Sequence, residues 1–481
     1  MMRQMLAVAV SAACLGVGAA HAAPFNSFDP RSMAMGGAGT AVGNTATAPF
    51  FNPSLLSTTD HDDDFAMELP IIGARLYDPD DFIDSVDEFQ DNPKLVINDE
   101  LVLNSSVDTA KKAFNAINNL GPGATQADIQ AAAASARDAL GTVAGDTRIL
   151  STGFSTLSNK ALNLELGVGT VIGIPSRKFG GALVFNSWNV GSAIVKYEDA
   201  GLLTGLADDA DVYADYLDKV ASCDSDAACQ AAINKDPDLQ YIDRNLKTGG
   251  DLELAFDPDN DIKSSVELRA ISLNEVGLSL SREFNIGGQK LAIGVTPKYV
   301  RAITLNYSAS VNDADDDDFD ADDYTNDTTN FNMDLGVAKD FENGWRAGMV
   351  VKNIIGQTYD LMRKDNATGV KVKTGEIELK PQARAGVSYQ NSWFTAGLDV
   401  DLTENDPIGF EDETRYAAFG MELNAFDWAQ LRLGYRADMV NSDRSIASAG
   451  LGLSPFGVHI DLAVAASDNE LGAAAQFGLR F

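Results

Sequence analysis

Membrane helices, metal-ligand spacings and nucleophile motifs are all missing from this 481-residue chain, and each absence narrows what it is. Beyond Ala20 no stretch approaches the roughly 18 consecutive apolar residues that a membrane helix needs, so any crossing of a bilayer has to be made by strands. Positive charge is scarce. The 36 Lys and Arg stand against 70 Asp and Glu, a formal net charge of −34 that repels phosphate backbones and argues against nucleic-acid binding. Cysteine is nearly absent: Cys14 falls in the amino-terminal apolar run, leaving Cys223 and Cys229 as a C-x5-C pair. Their neighbours Asp224 and Asp226 disfavour a thiolate, so a local structural disulfide is expected rather than redox chemistry. His61 and His459 stand in no catalytic or metal-ligand spacing, and no catalytic residue, cofactor or metal centre is expected. Asp257, Asp259 and Asp261 resemble the start of a calcium loop, but Ile262 and Leu268 occupy the positions that need Gly and Glu. The run Asp315 to Asp318 reads as a solvated acidic loop, where loose divalent binding shared with lipopolysaccharide stays open.

What is present is alternation. Met1 to Gln4 carry one Arg, Leu6 to Ala20 are apolar and Ala20-His21-Ala22 is a small-x-small site, so residues 1–22 are expected to be a secretory signal. Downstream, about fourteen segments alternate polar and apolar residues between turn signals, from Phe65 to Arg75 through Gly472 to Phe481. Long connections (Tyr77 to Ala161, Glu198 to Lys263, Ser308 to Thr329, Ile354 to Pro381) alternate with short ones (Pro175 to Lys178, Glu283 to Gln289, Asp340 to Gly344). Each of six short turns has an aromatic beside it: Phe179, Phe284, Phe341 with Trp345, Tyr389 with Trp393, Phe426 with Trp428, and Phe456. Rings at headgroup depth form the girdle of an outer-membrane barrel.

These features predict an all-β transmembrane fold, a closed antiparallel β-barrel of about 14 strands occupying residues 61–481, with both termini at the short-turn side. The mean hydropathy of −0.10 does not oppose this, because half of every barrel strand faces a polar lumen. Strand faces are clean: Leu431, Leu433 and Tyr435 oppose Arg432, Gly434 and Arg436, and Phe331, Met333, Leu335 and Val337 oppose Asn332, Asp334 and Gly336. Extending the parity predicts a lumen charge network of Arg346, Arg384, Arg432, Arg436, Arg480, Asp399 and Asp461, together with Glu165, Glu267, Asp334, Asp401, Glu422 and His459. Helical spacing in Asp80 to Phe89, Asp108 to Asn118 and Thr125 to Leu140, and again in Asp208 to Asn234, predicts helical insertions within about 77–161 and 198–263.

The segment between signal and first strand carries a family resemblance. Arg31-Ser32-Met33-Ala34-Met35-Gly36-Gly37-Ala38-Gly39, followed by Ala48-Pro49-Phe50-Phe51-Asn52-Pro53-Ser54-Leu55-Leu56, resembles the amino-terminal hatch of FadL-type outer-membrane proteins, with Ser54 where that family has Ala. Leu69-Pro70-Ile71-Ile72-Gly73-Ala74-Arg75, Glu275-Val276-Gly277-Leu278-Ser279-Leu280 and Gly294-Val295-Thr296-Pro297-Lys298-Tyr299 resemble the TraF-like outer-membrane family named for conjugal transfer. The absence of any C-x-x-C separates the chain from the thioredoxin-like factor of that name. The resemblance implies a hatch over 23–60, built on Met33, Met35, Gly36, Gly37, Gly39, Phe50, Phe51, Asn52, Pro53 and Leu55, inside a barrel that passes hydrophobic small molecules. Gly36-Gly37 would let the hatch backbone lie close to the wall, and a bulky residue at Gly37 is expected to loosen it. It further implies residence in the outer membrane of a Gram-negative bacterium, with outer-membrane lipid, lipopolysaccharide and the barrel assembly machinery as partners. The alternative is a structural or assembly component of a cell-surface or conjugal transfer apparatus.

The terminal Phe481, on a strand whose Ala473, Ala475, Phe477 and Leu479 share its face, resembles the signal read during barrel insertion. One ring contributes a few kcal/mol at most to burial. Deleting it should therefore lower outer-membrane yield while leaving the heat-resistance of inserted protein unchanged, measured by fractionation and heated-gel mobility; normal yield would refute a role in insertion.

Overall fold

The computed structural model describes residues 28–480 except 45, 59–64, 98–99, 122, 224–245, 249–251, 255–262, 311–319, 342, 366–367 and 426–427. Expectations placed on the signal, His61, Cys229, Asp257 to Asp261, Asp315 to Asp318, Phe426 and Phe481 lie outside these residues. Fourteen strands form one closed antiparallel barrel: β1 Ala66–Tyr77, β2 Ala161–Ile174, β3 Gly180–Lys196, β4 Ser265–Ile286, β5 Gln289–Ser310, β6 Thr325–Asp340, β7 Trp345–Lys352, β8 Gln382–Gln390, β9 Phe394–Asp401, β10 Tyr416–Ala425, β11 Ala429–Asp438, β12 Ile446–Leu453, β13 Val458–Ala466 and β14 Glu470–Arg480. Closure is made by β1, which pairs with β2 on one side and β14 on the other, Ala66 facing both Gly173 and Arg480. The fold expected from alternation is the one present.

The two-residue period decides which face meets lipid. Phe331, Leu335, Leu398, Phe419, Leu431 and Leu471 are exposed on the outside, while Asn332, Asp334, Asp399, Arg432 and Gln476 on the same strands are buried inside. An apolar band around the whole circumference is a surface for hydrocarbon rather than water, and the chain is a membrane-spanning β-barrel. Among the described residues no helix is long and apolar enough to cross. Trp345, Trp393, Trp428 and Phe179 ring the short-turn end. There the β4–β5 hairpin turns on Gly287 and Gly288, both at positive φ, the geometry that matches the twist of paired strands.

Three elements differ from the sequence reading. In β1 the ladder skips Leu69 and Pro70 on both sides, so inward parity passes from Ala66 and Glu68 to Ile71, Gly73 and Arg75. Pro70 has no N–H to donate, and the bulge flips the faces. The connection from Ile354 to Pro381, expected only as a long loop, contains a hairpin of Gln357–Lys364 and Lys371–Leu379. The helical insertion is also larger than expected, with α1 Phe82–Asp91, α2 Val102–Asn118, α3 Gln126–Leu157 and, between β3 and β4, α4 Ala200–Ser222. α3 starts on a capping box of Thr125 and Asp128 and runs past Leu140 because Val143, Ala144, Thr147, Leu150 and Phe154 continue the buried stripe. The four helices share a core with Leu76, Leu162, Val195 and Val266, and so sit on the long-loop ends of β1 to β4. Cys223, at the end of α4, is buried and disulfide-bonded.

Candidate functional site in the barrel lumen

Residues 28–58 lie within the barrel. A short helix, Pro30–Ala34, is capped by Asp29, whose carboxylate accepts the Ser32 N–H at 2.8 Å. Further along, Asn52 fixes the bend before the 3-10 turn Pro53–Ser57: its Oδ1 accepts from Ser54 N (3.1 Å) and Ser54 Oγ (2.6 Å). Its Nδ2 donates to Thr40 O (3.0 Å) and to Val337 O of β6 (3.2 Å), tying bend, hatch and wall together. Met33, Met35, Phe50, Phe51, Leu55 and Leu56 are all buried.

The wall receives this segment on glycine. Each of the eight consecutive strands β5 to β12 turns glycine inward, at Gly294, Gly336, Gly348, Gly386, Gly397, Gly420, Gly434 and Gly450. A methyl at Gly348 would come within 2.6 Å of the Thr40 carbonyl oxygen and one at Gly450 within 2.5 Å of the Ala34 methyl. At Gly434 and Gly420 it would overlap the Gly36 nitrogen and Met35. The hatch answers with Gly36, at φ +70°, where a side chain would meet the Tyr435 oxygen at 2.5 Å and the Phe419 oxygen at 2.8 Å, and with Gly39, packed under the Phe51 ring. Within the expected Gly36-Gly37 turn the close contact falls on Gly36; nothing lies within 4 Å of a Cβ at Gly37, where a side chain would be strained by the φ of +93°.

Charge fastens what the glycines admit. Arg31 donates to Glu422 of β10 at 2.8 and 3.1 Å, and Glu422 accepts from Arg432 at 2.7 Å. Arg432 also pairs with Asp461, which accepts from Gln476 at 3.1 Å. Gln476 in turn lies 3.3 Å from His459, and His459 and Arg480 both meet Glu68 on β1, at 2.6 and 3.1 Å. This chain links the hatch to the β14–β1 seam. Deeper toward the long loops, Glu470 holds Arg75 (2.9 Å) and Arg436 (2.7 Å), and Glu165 lies 3.6 Å from Arg75. On the other wall Lys298 bridges Glu275 (3.0 Å) and Asp334 (2.9 Å), and the Lys352 ammonium donates to the Phe50 carbonyl. Asp399 accepts the Gly39 and Thr40 N–H groups, both at 2.8 Å, while Arg384 pairs with Asp401 at 2.5 Å and reaches Gly37 O at 3.3 Å. Arg346 stands at the rim, on Asp340 and the Thr58 carbonyl, and Glu267 pairs with Lys196 at 2.9 Å. Removing one member of a fully buried pair such as Arg384–Asp401 typically costs about 3–5 kcal/mol.

The residues that sequence parity passed over are Arg31, Glu68, Arg75, Glu275, Lys298, Lys352 and Glu470. The β1 bulge hid Glu68, and Arg31 gives no periodic signal because it lies in the hatch. Among the described residues no cluster of His, Cys, Asp and Glu is arranged to hold a metal ion.

Between these charged zones lies an apolar stratum. Phe28, Met33 and Ala34 of the hatch form one buried cluster with the inward residues Trp188, Val190, Ile271, Leu273, Val300 and Ala302 and with Tyr359, Leu361, Ile377 and Leu379 of the β7–β8 hairpin. The hairpin therefore folds into the lumen. The loop between β9 and β10 joins it through Ile408, and Phe410 N donates to Ser192 Oγ at 3.1 Å. Among the described residues there is a cavity beside Met33, Gly36 and Arg436 and another beside Trp188, Ile408 and Arg444, each about 20 Å³ and hence the size of a single water.

Gly434→Val should push the hatch off the wall, since the added Cβ overlaps Gly36, whereas Gly472→Val, whose Cβ would meet only ordinary contacts at 3.6 Å, should not. The expected outcome is faster proteolysis of residues 28–58 in the first variant alone, with heated-gel mobility of the barrel unchanged in both.

Comparison with known proteins places the chain. No curated protein matches it. Among solved structures, the P. putida toluene transporter TodX aligns over 95% of this chain and 99% of its own at 9% identity and a TM-score of 0.44. The CymD monoaromatic hydrocarbon channel aligns over 96% and 99% at 10% identity and 0.36. Residues 49–401 match the family described as F plasmid transfer operon, TraF, protein, and this fourteen-stranded, hatch-filled barrel belongs to that family.

Proposed function

We propose that this chain is an outer-membrane conduit for uncharged, apolar small molecules, closed in the conformation described. The observation that carries the reading is the apolar stratum inside the lumen. A water-filled porin has a polar interior, whereas Trp188, Val190, Ile271, Leu273 and Val300 turn hydrocarbon and an indole inward. Such a lining has no use for an ion or a sugar and offers a desolvated surface to an apolar solute. The short-turn end is then periplasmic and the helical cap faces outward, toward lipopolysaccharide. On this reading the barrel assembly machinery inserts the chain.

A structural role in a surface or conjugal transfer apparatus is favoured by one specific observation, the small size of the lumen cavities beside Met33 and beside Trp188. The readings separate in cells. Lipopolysaccharide excludes the uncharged dye N-phenylnaphthylamine, so expressing the intact chain in a Gram-negative host should speed its entry. Leu273→Asp, which places a charge in the stratum, should abolish the gain at equal outer-membrane yield. Dye entry identical with and without the protein would remove the conduit reading and leave the structural one.

A further inference from the structure

We infer that the β7–β8 hairpin is an outer gate, held shut by its own apolar face, which an uncharged apolar solute opens by competing for the strip of wall beneath it. The permeant class rests on the conduit reading; the gate itself does not.

The hairpin is amphipathic across its pleat. Tyr359 pairs with Ile377 and Gln357 with Leu379, and the apolar members Tyr359, Leu361, Ile377 and Leu379 are buried. The other face carries Lys371, Lys373, Glu376 and Glu378 into solvent. Beneath the buried face lie Ile271 and Leu273 of β4 with Val300 and Ala302 of β5, an apolar strip directly above the buried charges of Glu275, Lys298 and Asp334. The polar contacts of the hairpin with the wall are mostly neutral. Thr304 Oγ1 (2.7 Å) and Asn326 Nδ2 (3.2 Å) donate to the Asp360 carbonyl, Asn330 Nδ2 donates to Tyr359 Oη at 2.9 Å, and Asn306 Nδ2 to Thr374 Oγ1 at 2.7 Å. The ion pair Lys364–Asp323 (2.6 Å) is only partly shielded from solvent and correspondingly modest.

The two plugs are thus fastened by different physics. The hatch has apolar contacts too, but it is held in addition by buried charge and by backbone seated on glycine, neither of which an apolar molecule can replace. The hairpin is held by apolar burial, which such a molecule does replace. Its base is firmer than its body: Asn332 brackets the neck, accepting Ile355 N at 3.2 Å and donating to Ile355 O at 3.0 Å, and Asn353 N donates to Asp334 at 2.8 Å. The body therefore pivots on Ile355 and Gly356. A solute that binds only the uncovered strip shifts the equilibrium toward the open hairpin by its differential affinity.

Planar-bilayer conductance tests this with four proteins: the intact chain, a chain lacking residues 23–58, L361E/I377E, and the two changes combined. Naphthalene serves as the apolar probe. The hatchless chain should stay nearly silent, conduct when naphthalene is added, and conduct without it once L361E/I377E is present. Full conductance of the hatchless chain alone, with no rise from L361E/I377E, would overturn the gate, as would silence of the combined protein. Where a hatchless barrel does not insert, the intact chain still decides: naphthalene should speed tryptic cleavage after Lys364 and Lys373, and unchanged cleavage overturns the proposal. Failure of dye entry in cells with normal gating in bilayers would reject the conduit reading and keep the gate.

Discussion

Contact of backbone on backbone between the hatch and the wall is the constraint from which the rest of the structure follows. A fourteen-stranded barrel encloses more space than its own inward side chains fill. A second segment takes that space, and it does so without a spacer layer because the wall presents glycine from β5 to β12 and the hatch presents Gly36 in return. At those positions a single methyl would hold the segments apart. Glycine is costly in a strand through lost packing and added chain entropy, so eight aligned glycines on one inner surface are explained by what lies on them.

Close approach creates an electrostatic obligation. The hatch brings N–H groups, carbonyls and the Arg31 guanidinium into a lumen shielded from water, where an unmatched polar group is expensive. The wall meets them in kind: Asp399 takes the Gly39 and Thr40 amides, Lys352 takes the Phe50 carbonyl, and Glu422 takes Arg31. The same carboxylate holds Arg432, so hatch anchoring and wall cohesion share residues, and the run continues through Asp461, Gln476 and His459 to Glu68 at the seam that closes the barrel. The most extensive apolar contact between hatch, wall and hairpin lies in the layer between these charged zones, and smaller apolar clusters seat Phe50, Phe51, Leu55 and Leu56 against Val171 and Val184, and Met35 and Val42 against Ala418.

How much of this was legible in the sequence follows from where a period of two survives. Strands such as Ala429–Asp438, Val458–Ala466 and Glu470–Arg480 alternate lipid and lumen residues without interruption, so their faces, and with them Arg432, Arg436 and Asp461, could be read directly. The parity argument failed across Leu69 and Pro70, where a proline removes a ladder donor and the register shifts, concealing Glu68 and Arg75. It was silent about the hatch, whose Arg31 and Asn52 act through a non-repeating fold. The glycine track was present in the sequence as scattered single residues, and only the barrel register brings them side by side. The hairpin after β7 alternates as well, in Tyr359, Leu361, Ile377 and Leu379, but alternation alone does not distinguish a strand that spans the membrane from one folded back into the lumen.

Amide hydrogen exchange on the intact chain in lipid vesicles tests most directly that the hatch is a seated part of the barrel. Met33, Gly37, Asn52 and Leu55 donate to Asp29, Ser32, Ala48 and Asn52 carbonyls at 2.9, 2.7, 2.8 and 3.0 Å, bonds made within a short segment that would not hold in water on its own. If the glycine track and the buried ion pairs hold the segment, these amides exchange as slowly as those of β11. Exchange at the rate of an unprotected peptide, with β11 still protected, would contradict the account.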